Sequence, residues 1–81
     1  MKVRVVWSDP VRDLVLELPE REREEILEKT ALLKHFPHMY RVRVKGRFRR
    51  HRCFHAGNWL VYYKVVDEII YIRGLWPARI P

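Results

Sequence analysis

The chain has 81 residues, 48% of them apolar, a formal net charge of +7 and one cysteine, Cys53. That length holds one domain with one modest core, and the apolar share excludes a disordered chain. A lone cysteine excludes an intrachain disulfide, no apolar run reaches membrane-spanning length, and Met1-Lys2-Val3-Arg4 does not open a signal peptide, so a cytoplasmic protein with no membrane association is expected.

Lys2–Trp7 reads as a strand, with Val3, Val5 and Trp7 on one face. Ser8-Asp9-Pro10 then starts a helix: Asp9 can cap it, and Pro10 suits the first helical position because its missing N–H would be unbonded there anyway. Val11, Leu14, Val15 and Leu18 form one apolar helical stripe, which Leu18-Pro19 breaks. A second helix runs from Glu20 to about His35. Its first turns are acid-rich, which suits the positive end of the helix dipole, and its buried stripe is Ile26, Leu27, Thr30 and Leu33. The two helices form a hairpin.

From Tyr40 the period changes from 3.6 to 2, which predicts strands at Tyr40–Lys45, Phe48–His55, Trp59–Val66 and Glu68–Leu75. The expected fold class is α+β: a β-α-α-β-β-β-β two-layer sandwich with a helical hairpin on one face of a mostly antiparallel sheet. Parity places Phe48, Arg50, Arg52 and Phe54 toward the helices, with Trp59, Val61, Tyr63, Val65, Ile70 and Ile72. Arg49, His51, Cys53, His55, Tyr62, Lys64, Tyr71 and Arg73 fall on the open face. An arginine on the inner face needs a partner, so Arg52 is expected to meet a helix carboxylate or to escape along the sheet edge.

The charge is one-sided. Residues 1–39 carry a net −1 and residues 40–81 a net +8, with seven of the 17 Lys and Arg side chains between Arg41 and Arg52. Such asymmetry points to nucleic acid, an anionic membrane or an acidic protein. A generally charged surface accounts for Glu20–Glu28 but not for the second half. Cations for phosphate, rings for stacking and imidazoles for proton transfer share the open face. The same pattern fits outward polar positions of any solvated strand. His51-x-Cys53-x-His55 puts three metal-ligand types on one strand face, but no fourth ligand lies nearby in sequence, so no metal is expected. His35 and His38 suit a helix end, Trp7 and Trp59 suit the core, and Trp76 is the more open tryptophan.

The element order, the Leu18-Pro19 break, Lys45-Gly46, Arg52, His55, the run Asn58-Trp59-Leu60-Val61-Tyr62-Tyr63-Lys64 and the acidic Asp67 together resemble the RelE/ParE superfamily of bacterial toxins, most nearly its YafQ-like branch. The resemblance implies the toxin of a type II toxin-antitoxin system, which cleaves mRNA on the ribosome by 2′-hydroxyl attack, uses no cofactor and is neutralised by an acidic antitoxin in a hetero-oligomer. It makes His55 the first candidate for acid or base, with His51, Arg73 and Tyr62 as further catalytic candidates. Lys45, Arg47, Arg49, Lys64, Trp76 and Arg79 are then candidates for RNA and phosphate contacts. The chain departs from that branch at Cys53, Asn58, Leu60 and Trp76. ParE-like relatives poison DNA gyrase without cutting RNA, and that is one alternative; a catalytically degenerate, RNA- or protein-binding member of the family is the other.

Overall fold

The structure, a computed structural model, describes residues 3–78. Strand β1 (Arg4–Trp7) leads into helices α1 (Asp9–Glu17) and α2 (Glu20–Leu33), followed by strands β2 (Arg52–Ala56), β3 (Trp59–Val66) and β4 (Ile69–Pro77). The sheet order is β1-β4-β3-β2, with β1 parallel to β4 and the other two pairings antiparallel. This is the expected α+β two-layer sandwich. Two-residue turns close the hairpins, with Gly57 and Asp67 in the left-handed region at φ 58° and 56°.

Local chemistry sets the helix ends. Pro10 lies in the first turn of α1, and Ser8 precedes the helix without a side-chain capping bond. Asp9 is the first helical residue, not the cap, and favours the helix through the dipole. Leu18 is extended at φ −71°, ψ 153°, as a residue before proline must be. The helices bury Val11 and Val15, then Ile26, Thr30 and Leu33. Leu14 and Leu27, expected in those stripes, are exposed, because a hairpin lying flat on the sheet presents only a narrow seam to it. The Thr30 hydroxyl donates to the Ile26 carbonyl at 2.7 Å, so its burial leaves no unmet polar group.

Phe54, Ala56, Val61, Tyr63, Ile70, Ile72 and Leu75 complete the core from the sheet side. Each large side chain contributes roughly 1.5–3 kcal/mol by burial. Trp59 packs on its rim and donates to Glu22 Oε1 at 3.0 Å, which pins α2 to the start of β3. Tyr63 reaches through the layer and its hydroxyl donates to the Pro37 carbonyl at 3.1 Å. Burial pushes that hydroxyl's pKa up to about 12, against the pull of nearby Arg52. Arg52 finds no helix carboxylate. It donates instead to the carbonyls of His38 and Tyr40, so the linker after α2 is held by one phenol and one guanidinium.

A bulge between β3 and β4 pairs Tyr62 with Gly74 and Tyr63 with Ile72, leaving Arg73 as the extra residue. Parity therefore flips along β4: Ile70 and Ile72 point inward before the bulge, and Leu75 after it.

One expected strand is absent. Tyr40–Lys45 is not a strand, and β2 begins at Arg52 instead of Phe48; a single bridge, Val42 to Arg52, is all that remains of the pairing. Gly46, Phe48 and Arg50 adopt left-handed φ values of 85°, 63° and 70°. The alternation is real, but an Arg41–Lys45 strand beside an Arg47–Arg50 strand would set cation against cation across the ladder. Its apolar positions also meet no second layer, and Val44 is 84% exposed. Residues 41–51 form a strap instead, closed by Arg43 N–H to the His51 carbonyl (2.8 Å) and Arg50 N–H to the Arg43 carbonyl (2.7 Å).

Candidate nucleic-acid interface

The strap crosses the sheet face opposite the helices. Its reversed backbone turns Phe48, expected under the helices, onto that outer face. The Phe48 ring stacks on Tyr62 with centroids 4.3 Å apart and planes 12° apart. The His51 ring meets Phe48 edge-on at 5.5 Å and 82°. Gly74 lies directly beneath: a Cβ there would come within 2.4 Å of Phe48 Cζ. A glycine inside a strand often marks such a close approach.

Cations sit on the remaining ring surfaces. The Arg43 guanidinium carbon lies 5.4 Å from the Tyr62 ring centre, and that of Arg47 lies 5.0 Å from the ring of Trp76. Exposed cation–π pairs of this kind contribute about 0.5–1 kcal/mol each, enough to bias where a long side chain rests. Arg41, Arg43 and Lys45 line an open hollow of about 390 Å³ with Val42, Val44 and Cys53. Cys53 lies opposite Tyr62 in the ladder. Burial pushes the Cys53 thiol's pKa up, with the Arg43 guanidinium and the Tyr62 hydroxyl pulling the other way. The Tyr62 hydroxyl is likewise pushed up, first by burial and then by Cys53.

Strand register orders the outer face into rows. His55, Leu60 and Trp76 form one, and Cys53, Tyr62 and Gly74 the next. Lys64, Tyr71 and Val6 form a row closer to the β1 edge. His55 is exposed on this face, as expected, while its carbonyl accepts from Lys29 Nζ of α2. His51 is half-buried against Phe48, with its Nδ1 3.2 Å from the Arg49 carbonyl. Arg73 is exposed at the bulge and lines a hollow with Val6, Ser8 and Tyr71. Lys45, Arg47 and Arg49 are exposed, Lys64 is half-buried, and Trp76 is 41% exposed. Arg79 lies outside the described residues.

Tyr62 faces outward as expected, with its ring covered by Phe48, so that the residue is only 4% exposed. Among the described residues, no hydrogen bond links the His55 imidazole to His51, Tyr62 or Arg73. Nor do His51, Cys53 and His55 close into a metal-ligand cluster. Sequence reasoning missed Arg43, Phe48 and Gly74 as parts of this face. The interior glycine of β4 was the available signal.

The outer face is thus a surface of arginines resting on aromatic rings, with one open imidazole. Among the described residues, no helix is long and apolar enough to cross a membrane. No curated protein matches the chain by sequence. The fold is similar to that of the archaeal RelE in the crystal structure of the RelE-RelB complex from Pyrococcus horikoshii OT3, with 24% identity, a TM-score of 0.78, and 96% of this chain and 97% of that one covered. It is also similar to a mutant of the E. coli toxin RelE in the free state, with 14% identity, a TM-score of 0.73, and 96% and 85% covered. The model of the family described as ParE toxin of the type II toxin-antitoxin system, parDE, matches residues 5–80. The chain therefore belongs to the ParE toxin family, within the RelE/ParE superfamily of type II toxin-antitoxin toxins.

Proposed function

We propose that this toxin is a ribosome-dependent mRNA endonuclease. The observation that supports it best is the outer face itself, where Arg43 rests on Tyr62 and Arg47 on Trp76 beside the exposed His55. Single-stranded RNA is held by that combination of cations along the backbone and rings against the bases. The YafQ-like run from Lys45 to Asp67 supports the same reading.

The reaction uses the RNA's own nucleophile. A ribose 2′-oxygen attacks the adjacent phosphorus as a base takes its proton. The bond from phosphorus to the 5′-oxygen breaks, and that oxygen is protonated as it leaves. The products are a 2′,3′-cyclic phosphate and a 5′-hydroxyl. An open imidazole serves as acid or base near neutral pH, and such a role is worth roughly 10²–10⁴-fold in rate. His55, exposed on this face, is the first candidate for it, with His51 as the second imidazole. Arg49 and Arg73 stabilise the charge on the pentacoordinate phosphorus, and Lys45, Arg47, Lys64 and Arg79 hold flanking phosphates. Tyr62 contributes a ring surface and remains a candidate proton donor.

In the cytoplasm the toxin is held inactive by an antitoxin, as the similarity to a RelE-RelB complex supports. An acidic segment that folds on binding matches the net +8 of residues 40–81. Primer extension on translated mRNA after induction tests the activity. Wild type is expected to give discrete cuts and stop growth, and His55→Ala to abolish the cuts. Cuts that persist undiminished in His55→Ala would remove His55 from the chemistry.

Membership of the ParE family and the departures at Asn58, Leu60 and Trp76 favour one second reading, a gyrase poison. It expects DNA damage with intact mRNA, unaffected by His55→Ala and relieved by changes at Trp76 and Arg79.

A further inference from the structure

Tyr62 is an outward residue of a central strand, yet it is among the most buried side chains of the chain, at 4% exposure. What hides it is a single ring from the strap. Between residues 41 and 50, Phe48 is the least exposed residue. That ring anchors the strap on the outer face together with the Val42–Arg52 bridge and the two arginines on Tyr62 and Trp76, and it is delivered by a backbone that is left-handed at Gly46, Phe48 and Arg50. Left-handed backbone at non-glycine residues persists only where surroundings enforce it, and it clusters at segments that switch.

We propose that the recess formed by the Tyr62 ring and the Gly74 backbone is a nucleobase site that Phe48 plugs. The proposal rests on the RNA reading of this face. The recess is shaped for a flat ring: Phe48 lies 4.3 Å from Tyr62 at 12°, the arrangement of stacked bases, and Gly74 leaves no Cβ to obstruct it. Arg43 on the Tyr62 ring and Arg47, next to Phe48 in the chain, supply cations for the phosphates on either side of a bound base. An acidic peptide would meet the same cations but need bring no flat ring to replace Phe48, whereas every nucleotide of a single strand brings one. Opening moves Phe48 and Arg47 outward together and frees the His51 ring that leans on Phe48. The closed strap is thus a self-inhibited state, and an unpaired base of single-stranded RNA is the ligand that releases it.

The test is fluorescence anisotropy with a labelled single-stranded oligoadenylate and an abasic oligonucleotide of equal length and charge, both at one fixed salt. Phe48→Ala removes the plug. Phe48→Leu leaves a smaller, non-planar side chain in its place, and it carries the test should Phe48→Ala lose its fold. Each is expected to bind oligoadenylate more tightly than wild type, Phe48→Ala by roughly tenfold, the size of one base stack. Affinity for the abasic strand should not change, because no charge has. Tyr62→Leu added to Phe48→Ala should erase the gain. If wild type binds and neither variant binds more tightly, the plug is refuted while the RNA reading stands. Equal tightening on the abasic strand also refutes it, since the gain would then be electrostatic. If no form binds RNA at low salt, the RNA reading falls and the plug with it.

Discussion

The two faces of the sheet are built on different principles. The helical face is a continuous layer in which Phe54, Val61, Tyr63, Ile70 and Ile72 are all within 1% of complete burial. The outer face has no second layer, only one stacked ring pair and two arginines resting on rings. The first face gains stability from area removed from water, summed over many neighbours. The second gains little, and what it gains depends on a few separable contacts. A toxin of this size is stable because of one face and is free to change on the other.

Matched substitutions sharpen that contrast. The largest effect is expected for Phe54→Ala, which empties the middle of the core: about 3–5 kcal/mol of stability lost, read from urea unfolding. Phe48→Ala removes the same side chain from the outer face and should cost only about 0.5–1.5 kcal/mol in the same experiment. Equal losses at the two phenylalanines would break the comparison.

Tyr63→Phe should cost about 1 kcal/mol, the net value of its hydrogen bond to Pro37. It also has a pH signature. The folded pKa of Tyr63 is raised to about 12, against roughly 10 when unfolded. Over that interval the unfolded chain has released a proton that the folded chain keeps, so stability falls as pH rises. The contribution is fully present below pH 10 and is lost through about pH 12. Wild type should therefore lose more stability than Tyr63→Phe when unfolding is followed from pH 9 to pH 12. Parallel profiles would show that the phenol is not held as described.

The smallest effect on stability, within about 0.5 kcal/mol, is expected for Arg47→Ala, an exposed cation–π partner. Its consequence should appear in RNA binding, where the slope of log affinity against log salt should fall by about one.

The same division governs what could be read from the sequence. On the helical face, period and environment agree except at Leu14 and Leu27, which the helical stripes included and which are exposed. Val61 and Tyr63 in one strand, Ile70 and Ile72 in another, and Ile26, Thr30 and Leu33 on a helix all alternate as a buried surface requires, and all are buried. On the outer face the same period misleads. Arg41-Val42-Arg43-Val44-Lys45 alternates like a strand but has no layer to bury its valines and no anion between its cations, so it becomes a strap. The strap reverses Phe48 and hides Tyr62, two facts that depend on left-handed backbone at Phe48 and Arg50, where residue type gives no warning. The bulge at Arg73 is similar: it turns Leu75 inward by a shift in register that alternation alone does not reveal. His55 was legible because it lies in β2, where strand and parity both hold.

The parallel pairing of β1 with β4 has a consequence for how such a protein is made. Arg4–Trp7 emerges from the translation machinery well before its one neighbour in the sheet, Ile69–Pro77. The opening strand must wait for the closing one, since long-range pairing forms only after the intervening chain exists. A growing chain cannot complete this sheet before Ile69–Pro77 has been made, so a chain cut short of that segment lacks the strand that joins β1 to β3.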